Sequence, residues 1–226
     1  MNKKKFKIAV LISGNGSNLQ SLIDESFTSD CLYEISCVIS NNPNAFGLVR
    51  AKKNNIFSLV VNHKDYEQRK DFDLALEREI NNIDVDLIVL AGFMRILGKS
   101  IIKKYHNRII NLHPSLLPKY PGLNTHLKVL ENGDTYHGAT VHLVDEGLDT
   151  GKIIGFSKFE TNAQDSLDSL LAKTHEVEHK LLPKICCLIA SGKIKLVKGD
   201  VLIEDKSYKK GKELSLIHIS EPTRHT

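Results

Sequence analysis

The 226-residue sequence predicts an α/β protein with a Rossmann-like, doubly wound and mostly parallel sheet in a single domain. Three observations predict this class. Short runs rich in β-branched residues alternate with longer amphipathic segments. The short runs are almost continuously apolar, which is typical of strands buried on both faces. No stretch rich in Pro, Gly and Ser divides the chain, so one domain accounts for it.

The apolar runs set the bounds of the predicted strands. These strands cover residues 7–13, 34–40, 57–61, 85–92, 108–113 and 138–144. Between the early strands, segments 17–26, 45–55 and 66–83 carry apolar residues at helical spacing. A long helix is predicted at about 165–190, and a strand or hairpin is predicted over 194–204.

The end of the chain departs from this alternation. We assign residues 1–205 to the domain and residues 206–226 to an irregular tail, because "KKGKELSLIHISEPTRHT" is short and offers no partner element. Its last part, "LSLIHISEPTRHT", resembles translated sequencing-adaptor read-through. We therefore give the tail no functional role.

Composition and charge exclude several functional classes. The net charge is only +4, tryptophan is absent, and no basic stripe is interleaved with aromatics, so we expect no nucleic-acid partner. The apolar core near the start, Ile8 to Ile12, is too short for a signal peptide, and no run has the length of a membrane helix. The four cysteines form no CxxC pair, as expected for reduced thiols of a cytoplasmic protein.

The segment "SGNGSN" (13–18) joins the first strand to the first helix. Gly14 and Gly16 permit a tight turn, and N–H groups at the start of a helix favour phosphate. Leu19 stands where a dinucleotide motif requires its third glycine. The loop therefore predicts binding of a single phosphate rather than NAD, and a plain β–α turn is the alternative.

The segment "NLHPS" follows an apolar run. In an extended strand, Asn111 and His113 project to the same side, and Pro114 favours that geometry. An amide N–H and an imidazolium N–H that converge on one point can stabilise an oxyanion. A nearby carboxylate such as Asp149 would raise the pKa of His113 and orient its ring. The alternative is a histidine in a surface loop.

The segment "HEVEH" (175–179) matches the H-E-x-x-H zinc motif. No further part of a metalloprotease signature follows it, so a charged helix face is the simpler explanation. His137 and His142 would lie on opposite faces of one strand and do not form a ligand pair. We predict no metal site.

Five segments together resemble the phosphoribosylglycinamide formyltransferases, which are folate-dependent enzymes of purine biosynthesis. They are "VLISGNGSNLQSLI", "VLAGFMRIL", "INLHPSLLPKYPGLNTH", "ENGDTYHGATVHLV" and "GLDTGKII", in order between about residues 6 and 200. The resemblance implies the formyltransferase fold and transfer of a formyl group from 10-formyltetrahydrofolate to the amine of glycinamide ribonucleotide, without metal. We expect small-molecule partners, no membrane association and a monomer or homodimer.

The resemblance also implies site residues. Asn111, His113 and Asp149 match the catalytic trio, and Glu178 matches a glutamate that holds the glycinamide end. The phosphate loop matches Gly16, Ser17 and Asn18. The folate side matches Arg69, Met94, Arg95, Ile96, Leu97, Asn111, Asp145, Glu146, Gly147 and Leu148. The loop carrying Glu146 and Gly147 varies in the family, and Asn124, which stands where some relatives have histidine, receives no role.

Several alternatives accompany this interpretation. A formyltetrahydrofolate hydrolase would deliver water to the same formyl group, but that family usually has an additional N-terminal regulatory domain. A methionyl-tRNA formyltransferase needs an RNA-binding C-terminal domain, for which the tail leaves no room. The other two candidates are a non-catalytic sensor of a phosphate ligand, which the intact trio argues against, and an HExxH metalloprotease.

Overall fold

Strands and helices alternate through the first part of the chain in the computed structural model, which describes residues 5–197, 199–203, 206–207 and 212–213. The elements up to the fourth strand are β1 (Phe6–Ile12), α1 (Ser17–Ser26), β2 (Tyr33–Ser40), α2 (Phe46–Lys53), β3 (Ser58–Val60), a 3₁₀ turn (His63–Asp65), α3 (Arg69–Asn81) and β4 (Leu87–Leu90).

The second part is less regular. Its elements are α4 (Lys99–Lys104), β5 (Ile109–His113), α5 (Thr125–Asn132), β6 (Tyr136–Leu143), β7 (Ile153–Glu160), α6 (Leu167–Ala190), β8 (Ile194–Val197), β9 (Asp200–Ile203), β10 (Lys206–Ser207) and β11 (Lys212–Glu213). Of the helices in the described part of the chain, even the 24-residue α6 lacks the apolar length needed to cross a membrane.

The main sheet has the strand order β11-β7-β6-β5-β4-β1-β2-β3. Strands β1 to β5 are parallel to one another, whereas β6 is antiparallel to both β5 and β7. The chain moves outward from β1 through β2 to β3 and then returns to place β4 on the other side of β1. This reversal creates a crevice at the carboxyl ends of β1 and β4, where open α/β sheets bind ligands.

Apolar residues fill both faces of the sheet. Ile8, Val10 and Ile12 of β1 pack in one core cluster with residues of α1 and α6, while Ala9 and Leu11 pack in a second cluster with residues of α3 and α4. Because successive residues of a strand point to opposite faces, every residue from Ile8 to Ile12 is buried. This explains the continuous apolar runs in the sequence.

All six predicted strands and all four predicted helices are present, with bounds that differ by at most three residues. The segment predicted as a strand or hairpin over 194–204 is the antiparallel pair β8–β9. Helices α4 and α5 and strand β7 were not predicted. α4 has only six residues, and β7 includes Ser157, Lys158 and Glu160, so neither forms a long apolar pattern.

The expectation that the tail has no partner element is wrong for two pairs of residues. Lys206–Ser207 pairs antiparallel with β9, and Lys212–Glu213 pairs in parallel with β7. Lys206–Ser207 extends the small β8–β9 sheet, and Lys212–Glu213 pairs with backbone groups of β7 that would otherwise be unpaired at the edge of the main sheet. The other residues of the predicted tail lie outside the described residues, and the domain limit at residue 205 stays a prediction.

Candidate active site

Three side chains converge beside the carboxyl end of β5. Asn111 and His113 lie on β5 and contact the two oxygens of the same carboxylate. Asn111 Nδ2 is 3.3 Å from Asp149 Oδ1, and His113 Nδ1 is 3.3 Å from Asp149 Oδ2. The spacing of two residues along an extended strand therefore places the amide and the imidazole on one side, around one acid.

The surroundings of His113 define which ring nitrogen carries a proton. His113 Nε2 is 2.8 Å from the carbonyl oxygen of Tyr120. A carbonyl oxygen only accepts, so Nε2 donates, and Nδ1 faces Asp149. Burial lowers the pKa of His113 below its ordinary value, although the Tyr120 carbonyl and the Asp149 carboxylate both favour the charged form. The expected net rise of the His113 pKa is therefore wrong, because burial outweighs the neighbouring carboxylate.

Asp149 is fixed by its backbone as well as by its side chain. Its φ is +54°, in the left-handed region that non-glycine residues seldom adopt, and the N–H of Gly122 donates to Oδ2 at 2.8 Å. Burial opposes ionisation of Asp149, but the contacts with His142 and with the Gly122 N–H outweigh it, and the pKa lies below its usual range. Asp149 is therefore an ionised carboxylate at neutral pH.

His142 is a fourth member of this group that the sequence did not reveal. Strands β5 and β6 are antiparallel and pair Asn111 with His142. Nδ1 of His142 is 2.8 Å from the carbonyl oxygen of Leu143, and Nε2 lies 3.1 Å from Asn111 Nδ2 and 3.5 Å from Asp149 Oδ1. Predicting it requires knowing that β6 runs antiparallel. Asn111, His113, His142 and Asp149 form the polar cluster.

The glycine loop, residues 13–18, lies after β1 and begins α1. Gly16 has φ +73°, and a Cβ atom there would come within 2.7 Å of Gly47 Cα. Only glycine fits this position, because α2 packs directly against the loop. Helix geometry leaves the N–H groups of Ser17 and Asn18 without intrahelical acceptors, so the loop can bind an anion.

Glu178 and Asn18 link α6 to the start of α1. Asn18 Nδ2 donates to Glu178 Oε2 at 3.0 Å, and Glu178 is only 5% exposed. Burial raises the pKa of Glu178 to about 7, although the bond from Asn18 favours the ionised form. Among the residues that the structure describes, the buried Oδ1 of Asn18 has no hydrogen-bond partner, so it is an acceptor left open to a ligand.

The motif "HEVEH" does not form a metal centre here. The rings of His175 and His179 stack with centroids 5.8 Å apart, while Glu178 bonds to Asn18. Within the stretches that the structure describes, no group of three or more His, Cys, Asp or Glu side chains has an arrangement that could hold a metal ion.

Part of the residues assigned to the folate side, Arg69 and Met94 to Leu97, make contacts with one another and with α3. Arg69 donates to the carbonyl oxygen of Ile96 at 3.0 Å, and the Arg95 guanidinium lies 5.8 Å from the centre of the Phe72 ring. Met94 is 69% exposed and Ile96 is 55% exposed, whereas Leu97 is buried. This segment presents apolar side chains to solvent at the edge of the crevice, as a docking surface for a flat ring would.

The loop from Asp145 to Leu148 closes the other side. Asp145 Oδ1 accepts from the Gly147 N–H at 3.0 Å and from the Thr150 hydroxyl at 2.7 Å. Glu146 pairs with Lys99 at 2.7 Å across the opening, and Leu148 is 53% exposed. Glu146 is thus engaged with Lys99, while the backbone of the loop and Leu148 face outward.

The whole arrangement suits acyl transfer to a nucleophile that needs no covalent enzyme intermediate. Amide and imidazole groups and an ionised acid converge at β5, and the chain also offers a glycine loop at a helix start and an exposed apolar segment after β4. Those groups can stabilise an oxyanion and move a proton.

Comparison with known proteins agrees with this arrangement. The sequence pattern of the formyl transferase family matches residues 6–186. A phosphoribosylglycinamide formyltransferase of Haemophilus influenzae is 41% identical, and the match covers 90% of this chain and 96% of that protein. The Escherichia coli enzyme of the same name is 43% identical over 84% of this chain and 89% of that protein.

Two further comparisons are with a solved structure and with a larger relative. The phosphoribosylglycinamide formyltransferase of Coxiella burnetii has a TM-score of 0.88 and 40% identity, covering 93% of this chain and 99% of that one. A trifunctional purine biosynthetic protein of Drosophila melanogaster is 43% identical over 85% of this chain, which spans only 14% of that protein. The chain belongs to the formyl transferase family.

Proposed function

We propose that the protein transfers the formyl group of 10-formyltetrahydrofolate to the amine of glycinamide ribonucleotide, giving formylglycinamide ribonucleotide and tetrahydrofolate. The main support for this proposal is the convergence of Asn111 and His113 on Asp149, each at 3.3 Å. Relatives at 41% and 43% identity that span most of the chain have this activity by name.

The two substrates fit opposite sides of the polar cluster. The phosphate of the ribonucleotide would bind the N–H groups of Gly16, Ser17 and Asn18, because these lie at the start of α1. The buried Oδ1 of Asn18 and the carboxyl of Glu178 would bind polar groups next to it. The folate would lie against Arg69, the segment from Met94 to Leu97 and the loop from Asp145 to Leu148.

The reaction needs an oxyanion site and a route for one proton. The amine nitrogen bonds to the formyl carbon, and the electron pair of the carbonyl bond moves to its oxygen. Asn111 donates to that oxygen, and His113 lies on the same side of β5. As the negative charge develops, it raises the pKa of the neighbouring imidazole, so His113 takes up a proton from solvent and returns it when the intermediate collapses. When the carbon–N10 bond breaks, the proton lost by the amine reaches N10, and Asp149 organises its path.

Both N–H groups of the Asn111 amide are engaged in the absence of substrate. One faces His142 Nε2 at 3.1 Å and the other faces Asp149 Oδ1 at 3.3 Å. The formyl oxygen must therefore replace one of these acceptors. Because the bond to Asp149 is the longer one, we expect it to be exchanged, which leaves Asn111 oriented by His142 during the reaction.

Two other functions are less well supported. The hydrolase alternative is not favoured by relatives that are named as transferases over nearly their whole length. The further activities of the trifunctional relatives do not extend to this chain, which corresponds to a small part of those proteins.

Cellular location and assembly are parts of the same proposal. The four cysteines are free thiols, which supports a reducing compartment such as the cytoplasm. For the assembly we propose a monomer or a homodimer.

A product assay tests the proposed function. The purified protein, glycinamide ribonucleotide and 10-formyltetrahydrofolate should give the formylated ribonucleotide, detected by mass spectrometry, with equal rates in the presence and absence of a metal chelator. Omission of the ribonucleotide should abolish folate deformylation. Deformylation at an undiminished rate without the ribonucleotide would instead identify a hydrolase.

A further inference from the structure

Arg50 contacts the glycine loop but is not one of the residues of the proposed site. Arg50 lies on α2, outside the crevice, and its guanidinium makes three hydrogen bonds to the loop and to α1. Nε donates to the carbonyl oxygen of Asn15 at 3.0 Å, and Nη2 donates to Asn15 Oδ1 at 3.0 Å. Nη1 donates to Gln20 Oε1 at 3.2 Å. The planar fork of arginine thus binds the loop and the first turn of α1 together.

A second contact from α2 fixes the preceding peptide. The N–H of Gly47 donates to the carbonyl oxygen of Gly14 at 3.1 Å. Gly47 must be a glycine for this approach, since a Cβ there would lie 2.4 Å from Ile12 Cδ1. Helix α2 therefore binds two successive carbonyl groups of the loop, those of Gly14 and Asn15.

The direction of the loop N–H groups follows from peptide geometry. The 14–15 and 15–16 peptide bonds are trans, so each N–H points away from the carbonyl oxygen of the same peptide. Binding of the Gly14 and Asn15 carbonyls to α2 therefore turns the N–H groups of Asn15 and Gly16 away from α2. In the proposal, that side, away from α2, is the one on which the phosphate would lie.

We propose that Arg50 is a positioning residue, which acts through the Asn15 peptide and orients the glycine loop for the phosphate of the ribonucleotide. This inference rests on the proposed function for the identity of the ligand. Arg50 contributes geometry more than charge, because its guanidinium is already committed to Asn15 and Gln20 and also lies 5.0 Å from the centre of the Phe46 ring. A lysine would keep the charge but could not reproduce the planar fork.

The test compares two substitutions of Arg50 with a matched control. Arg50→Gln removes both the positive charge and the planar guanidinium group. Arg50→Lys keeps the positive charge and removes only the guanidinium group. Lys53→Gln removes one positive charge from an exposed position on the same helix. Steady-state kinetics give kcat and the KM of each substrate, and calorimetry gives the Kd of inorganic phosphate.

Both Arg50 variants should raise the KM of the ribonucleotide about tenfold or more, the size expected for losing a hydrogen bond to a charged group. The KM of the folate should not change, and kcat at saturating ribonucleotide should stay within roughly threefold of wild type, because only ground-state binding is affected. The Kd of phosphate should rise in parallel, and Lys53→Gln should behave as wild type.

Three results would overturn the inference. Wild-type KM in both variants would mean that Arg50 does not position the loop. Full recovery by lysine would mean that charge suffices. Equal loss in both KM values and in kcat, together with a lower melting temperature, would indicate a general structural role. If the wild-type protein does not formylate the ribonucleotide, the proposed function fails, and the Kd of phosphate for the same variants still decides the role of Arg50.

Discussion

The glycine loop and the polar cluster differ in the groups that form them. The loop is made of backbone, and α2 holds it through the Gly47 N–H and Arg50. The polar cluster is made of side chains that bond to one another, with Asn111 shared between His142 and Asp149. In the proposed function, the loop would bind phosphate without rearrangement, whereas the polar cluster would exchange internal hydrogen bonds for substrate. We infer that the loop supplies affinity and that the cluster supplies rate.

The largest effect should follow from removing a donor of the polar cluster. His113→Ala and Asn111→Ala should each lower kcat by at least ~10²-fold, the loss typical of one oxyanion donor. Circular dichroism should show that both variants fold, and His106→Ala, at an exposed position, should keep wild-type turnover as the matched control. Turnover close to wild type in either cluster variant would remove that residue from the mechanism.

The next effect should come from the charge on Asp149. Asp149→Asn keeps the shape of the side chain but removes the negative charge that favours protonated His113, so the His113 pKa should fall further below its ordinary value. Turnover should fall as well, while affinity for the ribonucleotide should change little. An NMR titration of His113 in both proteins measures the shift. If neither pKa nor turnover changed, Asp149 would be an ordinary loop residue.

A substitution in the glycine loop should weaken substrate binding, whereas substitutions in the polar cluster should lower turnover. Gly16→Val places a side chain at φ +73° and against Gly47, so it should weaken the ribonucleotide at least about tenfold while sparing the folate. Gly133→Ala is a matched control, because Gly133 has φ +59° but open space around its Cβ. Equal weakening of both substrates by Gly16→Val would show that the loop is not the phosphate site.

A smaller effect should appear in stability through Glu178. Its folded pKa of about 7 lies above the ordinary value of 4.5, so the folded protein binds more protons than the unfolded chain between these values. Its ionisation therefore destabilises the fold as pH rises through this window, by on the order of 1 kcal/mol or more. Glu178→Gln should become increasingly stable relative to wild type from pH 4.5 to pH 7 in urea unfolding. A difference that is independent of pH would show that Glu178 is not a buried acid with a raised pKa.

The sequence allowed most of the fold to be predicted because parallel strands buried on both faces have an unmistakable apolar pattern. It did not reveal β7, whose polar residues interrupt the pattern, or α4, which is too short to show a period. In the site, Asn111 and His113 were predictable because their spacing and the following proline are local features. His142 was not, since its contact depends on antiparallel pairing across 31 residues. The lowered pKa of His113 was also missed, because sequence does not give the depth of burial.

The distinction between affinity and rate is tested most directly by the Kd of glycinamide ribonucleotide for His113→Ala, measured by calorimetry beside the wild-type protein. The account predicts an almost unchanged Kd in a variant whose kcat has fallen at least ~10²-fold, because the cluster acts in the transition state. A Kd that weakens by as large a factor as kcat would contradict it, since His113 would then bind the substrate in its ground state.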